Sequence, residues 1–199
     1  ALRIASARSM DESADKVFTL LDSEDVEISE AAYQALCGVV EPKHFNRLIE
    51  MLEKGQHLSI IQQAIKNALL PVSQKEQLKG INYWMIRSSN PSLYYPMLAQ
   101  VCSAEAIAEI RKGYEGDYKQ AAYEALLTID SPEMIDVLFE MAQADKVNSQ
   151  TILNRYTDLV SKSAQKPIQQ FQSYSQALAL ATDVKLQNRL IGLLGGTHA

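Results

Sequence analysis

The chain has 199 residues, of which 47% are hydrophobic, enough apolar material to bury a substantial core. Its 19 basic and 24 acidic side chains give a formal charge of −5, so it lacks the basic field that draws phosphate backbones, and nucleic acid is not an expected partner. No apolar run approaches the roughly 20 residues that cross a bilayer, which argues against membrane insertion.

In chain order the apolar periodicity predicts helices near 1–10, 13–22, 26–39, 42–54, 57–70, 73–87, 90–102, 104–113, 117–129, 132–144, 148–162, 166–181 and 183–194. No strand pattern competes. The first of these is already running at Leu2, and the chain begins with Ala1, which reads as a segment of a longer protein. Its Leu2, Ile4 and Ala7 are expected to form an apolar patch that a further repeat or domain covers.

The third predicted helix contains AAYQAL, Ala31 to Leu36, and the ninth contains AAYEAL, Ala121 to Leu126. At the same offset of 90, Pro42 meets Pro132, Leu48 meets Leu138, and Glu50-Met51 meets Glu140-Met141, so a whole unit recurs. Within the first copy Ile28, Ala32, Ala35, Leu36 and Val39 form one helical stripe, and Phe45, Leu48, Ile49 and Leu52 form the next after Pro42. The second copy repeats them as Tyr118, Ala122, Ala125, Leu126, Ile129, then Ile135, Leu138, Phe139, Ala142. Weaker copies stand about 33 residues after each phrase, at Ile60, Ala64, Ala68, Leu69 and at Tyr156, Leu159, Val160. A period in the low thirties points to an all-α fold, an α-solenoid of stacked antiparallel helix pairs with about thirteen helices in a single domain, 1–199.

Punctuation agrees with the period. Ser73 and Glu76 stand at capping-box spacing, Asn90-Pro91 and Ser131-Pro132 read as a cap followed by proline in the first turn, and Gly55, Gly113, Gly116 and Gly195-Gly196 lie between or after helices. Gly80 and Pro96 fall inside proposed helices, and an interior proline removes a backbone hydrogen bond, so the helix from 90 is expected to kink or start late.

On these residues the sequence resembles the HEAT family, in the short form related to phycobilisome-lyase repeats. The likeness is carried by Ile28, Ala32 and Leu36, by Tyr118-Lys119 with Ala122 and Leu126, and by Leu2-Arg3 with Ser6 and Met10; Ser29 departs from it where an arginine is usual. The order AAYEAL, SPEMIDVLFEMA, ILNRYTDLV and NRLIGLLGG is also similar to the HEAT region of large multidomain bacterial proteins that carry a keto-disaccharide hydrolase-like domain. That resemblance implies a helper module of an exported carbohydrate-processing protein. It specifies a fold more strongly than an activity.

Chemistry-bearing patterns are absent. His44, His57 and His198 are scattered without metal-ligand spacing, and no nucleophile elbow, dinucleotide fingerprint or P-loop occurs. Cys37 and Cys102 fall in different repeats, too far apart for a disulfide, and read as small buried side chains. Asp22 to Asp25 reads as a helix-flanking turn, and GYEG at 113–116 as a helix-connecting one. No metal, cofactor or catalytic residue is assigned.

Tyrosines carry the one candidate site. Tyr33, Tyr123 and Tyr156 hold equivalent places at the edge of the apolar stripe and could line the concave side as a ladder, with Arg155 and Arg189 adding polar contacts. Filling of space between repeats is the leading reading of the ladder, and core packing leads likewise for a second aromatic group, Tyr83-Trp84 with Tyr94-Tyr95. The expected function is a non-enzymatic interaction scaffold that binds a protein partner or an adjacent domain of its own polypeptide. Carbohydrate recognition is the alternative, and a helical-repeat lyase or glycosylase a distant third.

Overall fold

The computed structural model describes residues 11–197. Among the described residues all regular structure is helical: α1 (Asp11–Leu20), α2 (Val26–Leu36), α3 (Phe45–Glu53), α4 (Leu58–Leu69), α5 (Gln74–Met85), α6 (Tyr95–Val101), α7 (Ala104–Glu115), α8 (Lys119–Thr128), α9 (Met134–Ala144), α10 (Ser149–Lys162), α11 (Pro167–Leu180) and α12 (Val184–Gly196). Short 3-10 turns at Pro42–His44 and Pro91–Tyr94 lead into α3 and α6. These match the predicted helices one for one from 13–22 onward. The predicted helix 1–10, its patch at Leu2, Ile4 and Ala7, and His198 lie outside the described residues.

Helix starts are set by the side chains that satisfy their free N–H groups. Asp25 accepts from the Glu27 and Ile28 amides, so the acidic run before α2 is a cap. Ser73 accepts from the Glu76 amide and donates its hydroxyl to the Glu76 carboxylate at 2.8 Å, joining the pair named from its spacing. Ser103 and Asp183 cap α7 and α12 in the same way. At the irregular region, α6 begins only at Tyr95, after the 3-10 turn. Pro96 therefore sits in the first turn, where its missing N–H removes no helical bond.

The chain divides into two compact units between Ala122 and Tyr123, inside α8. In the first, α1 packs on α2, α3 on α4, α5 on α6 and α6 on α7, and contacts also skip one helix, from α2 to α4 and from α4 to α6. In the second, α9 packs on α10, α10 on α11 and α11 on α12, with α10 also reaching α12. Alanines lie at the centre of both cores: Ala32, Ala64, Ala68, Ala122 and Ala142 are fully buried, as are Leu36, Leu48, Ile65, Leu126 and Leu138. AAYQAL and AAYEAL show the same alternation of buried, half-buried and exposed positions, residue by residue.

Side-chain hydrogen bonds tie helices together, several of them at separations of 30–34 residues and others at 23, 27, 38 and 41. Asn67 donates to the Cys37 carbonyl across 30 residues, Gln62 to the Leu93 carbonyl across 31, and Gln100 to the Lys66 carbonyl across 34. In the second unit Gln150 donates to the Leu180 carbonyl across 30, and Arg189 to Asp158 across 31.

Several expectations need correction. Ile28 is 40% exposed and Val26 is exposed beside it, because the packed stripe of α2 closes only from Ala32 onward. Gly113 does not lie in a turn: α7 continues to Glu115, and the Tyr95 phenol occupies the space that a β-carbon at position 113 would need. Cys37 and Cys102 are free thiols and half-buried, not buried.

Both close approaches are sensitive to added volume. Ala32→Leu and Gly113→Ala are each expected to lower stability by roughly 1–3 kcal/mol, because neighbouring side chains must leave their rotamers to admit the new atoms. Chemical denaturation of the two variants measures this; an unchanged midpoint for Ala32→Leu would place the phrase outside the helix contact.

Candidate functional site

The five partner-binding residues named above are shared between the two units. Tyr33 lies in the first unit, and Tyr123, Tyr156, Arg155 and Arg189 lie in the second. Tyr33 is half-buried with its ring stacked on His57, centroids 3.8 Å apart and planes at 22°. It borders a hollow of about 160 Å³ with Asp22, Glu50 and Lys54, where the Arg47 guanidinium sits 4.0 Å above the Phe18 ring. Burial, and then the nearby Asp22 and Glu30 carboxylates, push the Tyr33 phenol above its ordinary range.

Tyr123 is half-buried, and a hydrogen bond with Thr151 partly offsets the upward shift that burial imposes on its phenol. Tyr156 is only 2% exposed. Its ring packs 5.4 Å from that of Phe139 and its hydroxyl donates to the Ser173 carbonyl, so it is a core side chain and cannot present a face to a partner. Arg155 is likewise engaged inside its unit, donating to the Ile129 carbonyl at 2.8 Å and to the Asp130 carboxylate at 3.1 Å. Arg189 pairs with Asp158 at 2.5 Å but keeps a large part of its side chain in solvent.

A different surface, entirely within the first unit, has the form of a binding site. Phe45 and Asn46 from α3, and Glu76, Lys79, Gly80, Tyr83 and Trp84 from α5, line an open groove of about 510 Å³. Its floor exists because position 80 lacks a β-carbon: the Phe45 ring lies 3.3 Å from where one would stand. Tyr83 and Trp84 meet edge to face, centroids 5.5 Å apart, and the indole N–H donates to the Asn46 side-chain oxygen at 3.3 Å. Tyr83 is 52% exposed, with the Arg87 guanidinium 3.8 Å above its ring. Ile86, one turn along, is 77% exposed.

Core packing, the leading reading of both aromatic pairs, holds for Tyr94 and Tyr95, which are buried, and needs correction for the exposed Tyr83 and the half-buried Trp84. Tyr94 donates to Glu53 at 2.5 Å, tying the turn before α6 to α3. Phe45, Asn46 and Lys79 were missed as site residues. One signal could have found Lys79: Lys75, Lys79 and Tyr83 recur every fourth residue along α5, and Arg87 follows at the same interval just past its end.

Among the described residues no group of three His, Cys, Asp or Glu side chains could hold a metal ion, and no helix is long and apolar enough to cross a membrane. His44 accepts from the Glu41 amide through Nδ1 and closes the turn before α3. Burial raises the Cys37 thiol, and its Sγ lies 3.5 Å from the Ile60 carbonyl, the environment of an inert cysteine. Compared with known protein families, curated proteins and solved structures, the chain matches none.

Buried phenols give the molecule a defined alkaline limit. Tyr94, Tyr156 and Tyr174 are all shifted upward, with burial the first cause in each. A folded-state pKa above the unfolded one means that the neutral ring contributes its full stability below the ordinary tyrosine value of about 10 and loses it as pH rises through the folded value. Thermal stability is therefore expected to fall steeply above about pH 10. Tyr156→Phe should flatten that fall when unfolding temperature is measured against pH; an identical slope in wild type and variant would remove Tyr156 as a contributor.

Proposed function

We propose that the chain is a non-enzymatic interaction scaffold, an α-solenoid of stacked helix pairs of the HEAT-like kind, which holds a protein partner or an adjacent domain of its own polypeptide. The observation that carries the reading is the recurrence of interhelical hydrogen bonds at separations of 30, 31 and 34 residues in the first unit and 30 and 31 in the second. A repeat in the low thirties brings each helix to its counterpart two helices on, as the α2–α4, α4–α6 and α10–α12 bonds among these do, while the Gln150–Leu180 bond joins the neighbours α10 and α11. Contacts that run to the next helix and the next but one support the same arrangement. The Phe45–Trp84 groove is the surface assigned to the partner. An exposed tyrosine and a half-buried tryptophan beside an arginine is the composition that dominates binding energy at protein interfaces, because large rigid rings bury area with little loss of rotamer freedom.

Carbohydrate recognition is the second reading, favoured by one feature of the groove: the exposed Tyr83 ring and the half-buried Trp84 stand beside the Asn46 amide and the Lys79 ammonium, groups able to bond sugar hydroxyls. The two readings separate experimentally. A photo-reactive phenylalanine at position 83, activated in cells that make the protein, is expected to form a covalent adduct with a protein or with another domain of the same chain. Absence of any adduct at position 83, together with a glycan-array signal that disappears in Tyr83→Ala, would replace the scaffold reading by the carbohydrate one.

A further inference from the structure

The exposed face of α5 carries a charge sign opposite to that of the whole chain. Lys75, Lys79 and Arg87 are exposed and follow one another at intervals of four or eight residues, with Tyr83 in the same row. This places two cations on one face of α5 and a third in the turn just past its end, in a protein whose formal charge is −5. Among the described residues neither Lys75 nor Lys79 has an ion-pair partner. Arg87 is held in place by a bond from its Nη1 to the Tyr83 carbonyl at 2.6 Å and by the Tyr83 ring beneath it. The one carboxylate in the groove, Glu76, accepts the Ser73 hydroxyl in the helix cap. Between the cations the surface is apolar: Phe45, Tyr83, Trp84 and, at the end of the row, Ile86.

We infer that the groove is a docking site for an acidic peptide segment of the partner, one that places an apolar side chain over Phe45 and Trp84 and its carboxylates against Lys75, Lys79 and Arg87. This rests on the scaffold reading and gives it a chemistry. Complementary charge around an apolar centre selects the partner and speeds encounter, while ring burial holds it. A lysine-rich segment is rejected by the same row. A neutral oligosaccharide gains nothing from it.

Trp84 is the only tryptophan in the chain, so its fluorescence reports on the groove alone. The test titrates the full chain with a short peptide of glutamates interspersed with leucine, with the same peptide carrying lysine in place of glutamate, and with a neutral gluco-oligosaccharide. The glutamate peptide is expected to shift the Trp84 emission, the other two to leave it unchanged. Binding should weaken at least about fivefold in Tyr83→Ala and roughly tenfold in Lys79→Glu. It should also weaken as ionic strength rises from about 0.01 M to about 0.15 M, which shortens the screening length from roughly 30 to roughly 8 Å. Circular dichroism of both variants, altered only at exposed side chains, checks that they remain helical. Equal response to the glutamate and lysine peptides, a response to the sugar alone, or no loss in Lys79→Glu overturns the acidic-segment assignment. Should the glutamate peptide fail while a cross-linker at position 83 still captures a protein, the scaffold reading survives and only this chemistry falls.

Discussion

Alanine at the contact between neighbouring helices is the constraint from which the rest of the structure follows. A methyl side chain lets two helices approach closely enough for the flanking leucines and isoleucines to interlock, and the dispersion gained across such a contact depends on the absence of gaps. Ala32, Ala64, Ala68, Ala122 and Ala142 are all fully buried, and Ile65, Leu69 and Met141, beside three of them in sequence, are buried too. The glycines extend the principle, Gly113 where even a methyl would collide and Gly80 where a methyl would press on a ring. Gly113 yields its space to Tyr95, and Gly80 yields its own to Phe45. The second of these connects packing to function, since the ring that fills the gap at position 80 is also the floor of the groove.

Element positions were readable because they rest on local rules: 3.6-residue periodicity, side chains that cap, prolines in first turns. The late start of α6 is the clearest case, because a proline at position 96 is compatible with a helix only near its beginning. Gly113 shows where local rules end. The Gly-Tyr-Glu-Gly run has the composition of a turn, and only the approach of Tyr95 from another helix explains a glycine inside α7. Ile28 fails for a related reason, since periodicity marks a stripe but not the point along the helix at which a neighbour begins to cover it.

Site residues were less legible than helices, again for a physical reason. Tyr33, Tyr123 and Tyr156 hold equivalent places in their repeats, yet their neighbours differ: His57 stacks on the first, Thr151 bonds the second, and Phe139 with the Ser173 carbonyl encloses the third. Equivalence in sequence fixes which side of a helix a residue occupies and leaves open what lies opposite. The groove was hidden in the opposite way. Its residues come from two helices more than 30 positions apart, Asn46 and Trp84 being separated by 38, and no pattern within either helix announces the pairing. What the sequence did contain was the row of Lys75, Lys79, Tyr83 and Arg87, which stands out only against the acidic balance of the whole.

The central claim is that stability is built from neighbour to neighbour, as in the proposed repeat array, and not from one shared core. Native-state hydrogen exchange on Ala32→Leu tests it most directly, by following amide protection helix by helix within the first unit. The account predicts that protection falls in α2 and in its packing partners α1 and α4, while α7 keeps most of its own. An equal loss of protection across α1 to α7 would show a single cooperative core and contradict it.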